Sequence, residues 1–425
     1  MISEQIIEQV LDATDLVDLI SQKVELKKKG ARYVGLCPFH SEKTPSFQVN
    51  TALNFWYCQG CHEGGNAIKF LMKYDNIDFR EAVRQLAQHN NIPLPDEAPL
   101  SDADRQKQLK KEALYILNEE VAKYYQSNLK QHKAKVYIER RWSMDFAESI
   151  GMGYALPKWD GLYKYAQDNV LNIDLLLELG LLQKNEEKDR IYDFYRDRIV
   201  IPIYDKATRI IGFTCRDISG EDGVAKYFNS YNSLIYNKDT SIFGISYAFR
   251  EAVKRDRVYC VEGGPDVLRL HMIGIPNTVA SLGSSWTEHQ FGQLKKMTAN
   301  ICFIPDADIK KSDEEYPVGV RSVMKYGKAA LKLGFNVRVR ELPPGEGNTK
   351  NDPDSYCTSK TKFEDLKEED FIVWYADKLF HNRTGTEAVH TVVTEVCNLI
   401  ALLDDEMKEE MYLGQVREFY KDKNL

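Results

Sequence analysis

The spacing of apolar residues in the first third of the chain predicts short helices and strands. Between residues 2 and 24, Ile7, Val10 and Leu11 fall on one face of a helical pattern, and Asp15 is placed to cap a second helix. The pattern also predicts a strand at Tyr33, a hairpin at 46–57, a helix from the 64–66 turn through Met72, a helix at 79–89 capped by Asp78, and a long charged helix at 101–131.

Strands and helices alternate in the second half of the chain. An apolar run at 258–261 precedes a double glycine, and helical spacing begins at Asp266. The next predicted elements are a strand at 301–304, a helix at 319–333 and a strand at 335–342. Alternation of this kind is typical of a parallel α/β sheet, which binds ligands beyond the carboxyl ends of its strands.

These patterns predict a multidomain protein that combines α+β and α/β parts. Residues 92–99 are rich in proline and indicate a linker, and three apolar-periodic stretches in 371–420 predict helices. The expected parts are an N-terminal module (1–92), a linker (93–100), a mixed α/β subdomain (101–250), a parallel-sheet domain (251–365) and a short C-terminal helical subdomain (366–425).

Composition and charge exclude several classes of protein. The 425 residues are 43% hydrophobic and 28% charged, as in globular domains, and the net charge of −7 argues against a wholly basic nucleic-acid binder. There is no secretory signal pattern and no apolar run long enough to span a bilayer. Three of the eight cysteines cluster, which indicates one metal site in a reducing compartment. We therefore expect a cytoplasmic protein without membrane contact.

Two short hooks near the N-terminus have the spacing of a structural zinc site. Cys37 and His40 form the first hook, and Cys58 and Cys61 form the second after an intervening hairpin. Each hook places two zinc-type donors on one turn, so four protein ligands complete a tetrahedral site. His62 is adjacent to the last cysteine and points away, so we leave it out. Such a zinc ion would stabilise the fold and perform no chemistry.

Aromatic and basic residues suggest where nucleic acid would bind. The hairpin contains Phe47, Phe55, Trp56 and Tyr57 next to lysines, which predicts a base-stacking surface, although about half of these rings must face the hairpin's own core. A second basic region, between residues 190 and 229, contains several arginines among short strands and suits a polyanionic substrate. A solvated, salt-bridged surface is the alternative for this region.

Acidic residues follow each strand of the predicted parallel sheet. Glu262 ends the first strand, and Asp306 and Asp308 end the second. Carboxylates gathered at one edge of a sheet repel one another unless a hard cation lies between them, and Mg²⁺ is completed by the phosphates of a substrate. The pattern therefore predicts metal-dependent phosphoryl transfer, with solvated loop acids as the alternative.

Taken in order, these segments resemble the bacterial and phage DnaG-type DNA primases. The resemblance is carried by GLCPFHSEKTPSF (35–47), GGNAIKFL (64–71), RIVIPI (198–203), KYFNS (226–230), VEGGPDV (261–267) and ASLG (280–283). These segments are similar to the family's zinc ribbon, its basic-ridge motifs and the core of its Toprim domain. The similarity covers nearly everything up to about Asp354.

The resemblance implies synthesis of short RNA primers on single-stranded DNA from ribonucleoside triphosphates, giving an RNA–DNA hybrid, with catalytic Mg²⁺ or Mn²⁺ besides the structural Zn²⁺. It implies that Glu262, Asp306 and Asp308 are catalytic. The magnesium ligands it implies are Glu262, Asp266, Asp306, Asp308, Asp352 and Asp354. The residues that fall where the family contacts nucleotide and template are Arg196, Arg198, Arg216, Lys226, Asn229 and Lys238.

The chain departs from the family pattern at two places. Where the family usually has D-G-D-x-A-G, this chain has Ala307 in place of the first glycine, and alanine fits there only if the position avoids a positive φ. In addition, residues 311–318 are inserted before Gly319. The chain also ends at Leu425, without the large domain through which many members bind the replicative helicase. A helicase partner bound through that domain is therefore not expected.

Two other readings of the same residues stay open. The acidic cluster would also suit a Toprim nuclease, which cuts phosphodiesters without nucleoside triphosphates. Ala307 and the short tail would suit a non-catalytic factor that binds single-stranded DNA. The zinc module together with the basic region favours the primase.

Overall fold

The computed structural model describes residues 4–30, 32–51, 54–94, 102–283, 285–310, 314–345, 349–381, 386–403 and 405–422. Its backbone contacts define two compact units. The N-terminal unit comprises Met1–Lys238 with Ile245–Tyr247, and the C-terminal unit comprises Asp239–Gly244 with Ala248–Leu425. Of the predicted linker at 93–100, residues 95–100 lie outside the described residues.

The helices and strands of the first 238 residues begin and end as follows. The helices are α1 (Glu4–Ala13), α2 (Leu16–Ser21), α3 (Ala67–Tyr74), α4 (Phe79–His89), α5 (Asp102–Ser127), α6 (His132–Arg141), α7 (Met144–Ser149), α8 (Gly161–Asp168) and α9 (Ile173–Glu178). The strands are β1 (Lys27–Lys29), β2 (Arg32–Gly35), β3 (Phe47–Asn50), β4 (Phe55–Cys58), β5 (Gly64–Gly65), β6 (Gly153–Ala155), β7 (Leu182–Asn185), β8 (Arg190–Asp193), β9 (Arg198–Tyr204), β10 (Ile210–Asp217) and β11 (Tyr227–Asn229).

The remaining elements alternate more regularly. The helices are α10 (Ile245–Arg255), α11 (Gly264–Met272), α12 (Glu288–Lys295), α13 (Val318–Lys332), α14 (Pro353–Tyr356), α15 (Lys360–Glu364), α16 (Phe371–His381), α17 (Thr386–Ile400) and α18 (Glu406–Asp422). The strands are β12 (Ile242–Phe243), β13 (Val258–Val261), β14 (Thr278–Ser281), β15 (Asn300–Phe303), β16 (Asn336–Arg340) and β17 (Glu368–Asp370).

The N-terminal module is an antiparallel sheet of order β1-β2-β3-β4-β5, packed with α1 to α4 around a common core. Local sequence signals specify its helices correctly: the Asp15 side chain accepts hydrogen bonds from the first turn of α2, and Asp78 caps α4. Both caps satisfy amide groups that would otherwise lack partners inside the helix.

The prediction of a base-stacking surface on the hairpin is wrong. Phe47, Phe55, Trp56 and Tyr57 are all buried. The rings of Phe47 and Trp56 stack on each other, with centroids 5.3 Å apart, and Phe70 of α3 meets Trp56 edge-on. Phe47, Trp56 and Phe70 belong to the core of the small module, and since all four hairpin rings are buried, none is presented to a nucleic-acid base.

The second sheet of the N-terminal unit is antiparallel, with order β11-β10-β9-β6, and the long helix α5 packs on it through Leu114, Val121 and Tyr125. The strands that meet at the turn around Asp205 were predicted, and they pair over most of their length. The β7–β8 hairpin and helices α8 and α9 were not predicted.

The C-terminal unit contains a six-stranded sheet of order β12-β14-β13-β15-β16-β17. The four central strands are parallel, and three of them, β13, β15 and β16, were predicted, whereas β14 was not. Both edge strands are antiparallel to their neighbours. The edge strands escaped prediction because each has only two or three residues. Since β13 and β15 are adjacent and parallel, their carboxyl ends open on the same edge of the sheet.

Three helices, α16, α17 and α18, follow the sheet where the tail was predicted to be helical. The first of them contributes Phe371 and Trp374, both buried, which pack with ring centroids 5.9 Å apart. Throughout the part of the chain that the structure describes, every helix is too short or too polar to cross a bilayer.

Candidate zinc centre and candidate active site

The four predicted zinc ligands converge in the N-terminal module. One donor atom from each of Cys37, His40, Cys58 and Cys61 lies within 4.8 Å of the other three. A set of three thiolates and one imidazole at this spacing fits a tetrahedral zinc ion. His62 is outside the group, as expected: its Nδ1 atom lies 2.8 Å from the Tyr57 hydroxyl.

Glu42 orients the histidine of this site, a role that the sequence did not reveal. Its Oε2 atom lies 3.2 Å from His40 Nε2, while the other ring nitrogen, Nδ1, faces Cys58 Sγ at 3.8 Å. Its Oε1 atom accepts hydrogen bonds from the backbone amides of Cys37 and Ser46. Hydrogen bonds from Ser46 and Cys37 outweigh partial burial and lower the pKa of the Glu42 carboxyl, so it stays ionised.

The topology of the C-terminal unit brings three of the predicted catalytic acids together. Glu262 directly follows β13, and Asp306 follows the adjacent β15 after two residues. Glu262 Oε1 accepts a hydrogen bond from the Asp306 backbone amide at 3.3 Å, and Asp308 Oδ2 accepts one from the Gly319 amide at 3.1 Å. Parallel strand pairing thus brings together residues that are 44 positions apart in the sequence.

The electrostatics of this cluster favour a cation. Although much of the Glu262 side chain is accessible, partial burial of the carboxylate and the nearby Asp306 raise its pKa to about 7. Burial also raises the pKa of Asp306, whose Oδ1 atom is buried without a hydrogen-bond partner among the described residues. Mutually repelling oxygen donors with an unsatisfied lone pair fit a divalent ion.

Lys350, which was not predicted, lies against the same carboxylates. Its Nζ atom is 2.9 Å from Asp306 Oδ2 and 3.3 Å from Asp308 Oδ1. Although the lysine is partly buried, its contacts with Asp306 and Asp308 raise its pKa above the ordinary value. The cluster thus already contains one positive charge supplied by the protein.

The other predicted magnesium ligands bind protein groups. The two Asp266 oxygens accept hydrogen bonds from the amides of Gly263 and Asp354, and Asp354 itself pairs with Arg269 at 3.2 Å. Burial first, and then Asp306, raise the pKa of Asp266 well above its ordinary range. Asp352 caps α14 by accepting from Ser355 N. Among the described residues, no three carboxylates match the compact spacing of the zinc ligands.

The altered D-A-D motif is accommodated without strain. Ala307 is absent from the residues with positive φ, and its amide donates to Asn351 O at 2.8 Å in an isolated β-bridge. The glycine that the site requires is Gly319, because a Cβ atom there would lie 2.5 Å from Asp306 O. Of the inserted residues 311–318, the first three lie outside the described residues.

A cavity of about 440 Å³ opens beside the two aspartates. Its walls include Ile309, Tyr316, Pro317, Leu342 and Pro344. The cavity is the size of a small-molecule site and has mostly apolar walls with carboxylates at one end.

The predicted nucleotide- and template-binding residues differ in how buried they are and in how many contacts they make with other protein groups. Arg198 is only 3% exposed, donates to Ala225 O and pairs with Asp217 at 3.5 Å, so it holds the sheet together. Arg216 packs over the Tyr227 ring at 5.0 Å, and its Nε and Nη1 atoms are buried without a hydrogen-bond partner among the described residues. Lys226 and Asn229 are exposed, and the Lys238 amide donates to Asn232.

Exposed aromatic rings that the sequence did not predict lie beside some of these residues. Trp159 is 57% exposed, and the Arg196 guanidinium lies 3.9 Å from its ring centroid. Phe228 and Tyr231 are also exposed and both pack against Phe194. Accessible rings beside cations are typical of single-strand binding surfaces. Trp159 was missed because it stands alone in a loop, far in sequence from the arginine that it contacts.

Three successive segments of the chain match known protein families. Residues 2–102 match the CHC2 zinc finger family, residues 124–249 match the N-terminal domain of the DNA primase catalytic core, and residues 259–357 match the Toprim-like family. The matched segments contain the zinc ligands, the arginine-bearing sheet and the acidic cluster, respectively.

Curated relatives are DNA primases that are longer than this chain. The DNA primase of Clostridium acetobutylicum is 33% identical over 98% of this chain and 68% of its own length. The DNA primase of Pseudomonas aeruginosa is 35% identical over 84% of this chain and 52% of its own length. The chain therefore spans between about half and two thirds of these proteins.

Solved structures agree. The zinc-binding and RNA polymerase domains of the Aquifex aeolicus primase superpose with a TM-score of 0.68 at 29% identity, covering 98% of this chain and 97% of that one. A DnaG primase catalytic domain bound to single-stranded DNA superposes with a TM-score of 0.60 at 27% identity, covering 72% and 98%. Given this identity and coverage, the chain belongs to the DnaG-type DNA primase family.

Proposed function

We propose that this protein synthesises short RNA primers on single-stranded DNA from ribonucleoside triphosphates. The observation that carries the proposal is the meeting of Glu262, Asp306 and Asp308 at one sheet edge, in a chain that also has a zinc module and an arginine-rich sheet. The relatives are named DNA primases, and one similar catalytic domain was solved with single-stranded DNA.

In the proposed reaction, a 3′-hydroxyl group attacks the α-phosphate of the next nucleotide, and pyrophosphate leaves. Mg²⁺ or Mn²⁺ bound by the acidic cluster would lower the pKa of that hydroxyl group and neutralise the leaving group. The unpartnered Asp306 Oδ1 and the raised pKa of Glu262 support these two residues as the primary ligands or proton acceptor. Asp266, Asp352 and Asp354 would contribute mainly by fixing the turns around the cluster.

Template and product would contact the second sheet of the N-terminal unit. Arg216 supplies positive charge on β10, and Lys226 is exposed immediately before β11. Trp159 offers a ring on which a base can stack. Arg196, Asn229 and Lys238 complete the proposed set for nucleotide, template and RNA–DNA hybrid. The zinc ion would maintain the fold of its module, which we assign to template recognition.

The test is primer synthesis by the zinc-loaded protein on single-stranded DNA with labelled ribonucleotides and Mg²⁺ or Mn²⁺. Wild type should produce oligoribonucleotides, and Glu262→Gln should reduce the yield by about two orders of magnitude or more, as loss of a metal-binding or proton-accepting group does. Glu364→Gln is a matched control, since Glu364 is exposed at the end of α15 and pairs with Lys360 of the same helix.

Each alternative gives a distinct result in the same assay. Cleavage of the DNA without nucleoside triphosphates would indicate a nuclease. Binding of single-stranded DNA that survives loss of all the named acids, with no product from wild type, would indicate a non-catalytic binding factor. Undiminished synthesis by Glu262→Gln would contradict the proposed site itself.

A further inference from the structure

Lys350 is held opposite the two aspartates of the cluster by its own backbone. The residue after it, Asn351, accepts a hydrogen bond from Ala307 N, and Ala307 lies between Asp306 and Asp308. The Asn351 side chain donates to Pro343 O at 2.9 Å. The backbone of the lysine is therefore held in place, and its Nζ atom contacts one oxygen of each aspartate.

The ammonium group uses oxygens that a divalent ion would also need. Asp306 Oδ2 and Asp308 Oδ1 contact Lys350, and Asp308 Oδ2 is taken by the Gly319 amide. That leaves Asp306 Oδ1 as the oxygen of the pair that is buried without a hydrogen-bond partner among the described residues. An ion bound by both aspartates must share these oxygens with a positive charge about 3 Å away or displace it, and both outcomes oppose binding.

The side chain can leave without unfolding its surroundings. The Lys350 side chain is 51% exposed, whereas those of Asp306 and Asp308 are 10% and 17% exposed. A lysine has a flexible stem and a compact, well-hydrated charge, so it exchanges one set of acceptors for another at little cost. The aspartates stay in place because their backbones are fixed by the strand end and by the β-bridge at Ala307.

We propose that Lys350 is a built-in competitor for the divalent ion of the acidic cluster. It compensates the repulsion between Asp306 and Asp308, and it swings out to solvent or to a substrate phosphate when Mg²⁺ or Mn²⁺ binds. Lys350 thereby weakens ion affinity and makes occupancy of the site depend on the free-ion concentration. This inference rests on the proposed metal site, but its test does not require primer synthesis.

The experiment measures Mn²⁺ binding to zinc-loaded full-length protein by electron paramagnetic resonance at low ionic strength. Lys350→Met keeps the length of the side chain and removes the charge, and we expect about tenfold tighter binding, equivalent to about 1.4 kcal/mol. Lys350→Arg should stay near wild type. Lys378→Met is the matched control, because Lys378 lines the adjacent cavity but pairs with Glu341, and it should leave Mn²⁺ affinity unchanged.

A purely structural role for Lys350 leads to a different expectation for Mn²⁺ binding. If Lys350 only stabilised the fold, Lys350→Met would lower the melting temperature and leave Mn²⁺ binding unchanged or weaker, and either binding result would overturn the inference. We expect a lower melting temperature without Mn²⁺ and a larger upward shift on adding it. Lys350→Gln repeats the test should the methionine variant fail to fold. If wild type binds no Mn²⁺ beyond the zinc site, the proposed metal site fails, which is a different outcome.

Discussion

Glu42 Oε2 lies 3.2 Å from His40 Nε2, the ring nitrogen that faces away from the cysteines. This contact fixes the ring so that Nδ1 points at the other three ligands. Glu42 is itself held by the amides of Cys37 and Ser46, so one carboxylate connects the first cysteine of the hook, its histidine and the residue just before β3. Such outer contacts orient metal ligands and raise their basicity.

We predict that Glu42→Ala weakens zinc binding by about 10- to 100-fold, the usual effect of losing an outer-shell partner of a metal ligand. The rate of zinc transfer to a chromogenic chelator measures the effect. Glu25→Ala is the control, because Glu25 is exposed in the same module and pairs with the exposed Lys27. Equal release from both variants would show that Glu42 does not support the site.

The zinc module shows what sequence can and cannot specify. Its ligands were predicted because two tight hooks carry the information within four residues each, and the caps at Asp15 and Asp78 are equally local. The aromatic residues of the hairpin were assigned to a surface, yet they are buried. A hairpin in isolation exposes both of its faces. Whether each face is covered depends on other elements, such as α3 with Phe70 against Trp56, and the hairpin's own sequence does not reveal them.

Arg216 and Arg198 differ in the groups that hold them: Arg216 packs over the Tyr227 ring, whereas Arg198 is buried and pairs with Asp217. We predict that Arg216→Ala weakens binding of single-stranded DNA severalfold, lowers the slope of log affinity against log salt by about 0.7, and lowers the melting temperature less than Arg198→Ala does. Arg198→Ala should instead destabilise the fold by about 3 kcal/mol, because it leaves Asp217 without its buried partner. Fluorescence anisotropy at several salt concentrations and thermal unfolding separate the two effects.

An unchanged DNA affinity of Arg216→Ala would contradict this prediction. An Arg216→Ala variant that binds DNA like wild type at every salt concentration would remove Arg216 from the proposed template surface. Such a result would shift attention to Lys226 and to Trp159, which are both exposed.

Gly319 is predicted to tolerate no side chain. A Cβ atom there would lie 2.5 Å from Asp306 O and 3.2 Å from Glu262 Oε1, so Gly319→Ala should push the strand end away from the cluster. We expect a loss of about 1–3 kcal/mol in the free energy of unfolding, the usual effect of overpacking, together with reduced primer synthesis. Gly292→Ala in α12 is the control, because a Cβ atom at that position would meet no described atom within 4 Å and alanine favours a helix. Denaturant unfolding of both variants checks the difference.

Three carboxylates of the acidic cluster could be predicted from the sequence because they follow strands that pair in parallel. Glu262, Asp306 and Asp308 directly follow apolar runs, and parallel pairing of such runs brings their ends together. Lys350 and the Arg269–Asp354 pair were not predicted, because their contacts join residues 42 to 85 positions apart through side chains that carry no local pattern. Asp266 was named as a metal ligand from the resemblance; in the structure its oxygens accept hydrogen bonds from the amides of Gly263 and Asp354, and its role as a ligand stays a prediction.

Glu262 should make stability depend on pH in a specific direction. Its pKa is about 7 in the folded protein against an ordinary value of 4.5, so the folded state holds the proton more tightly than the unfolded chain. Its contribution to stability is complete below about pH 4.5 and is lost as the pH rises through about 7. The zinc-loaded protein without added Mg²⁺ should therefore lose stability between pH 5 and pH 8.

Glu262→Gln isolates this contribution from those of Asp306 and Asp266, whose pKa values are raised as well. Glutamine cannot lose a proton, so the variant should lose less stability over the same pH range and should be more stable than wild type at pH 8. Thermal unfolding at pH 5, 6, 7 and 8 measures the difference, with Glu364→Gln as the exposed control. Parallel pH profiles for wild type and Glu262→Gln would mean that Glu262 ionises like a surface carboxylate. Its partial burial beside Asp306 would then have no energetic consequence, and its assignment to the catalytic cluster would lose its electrostatic support.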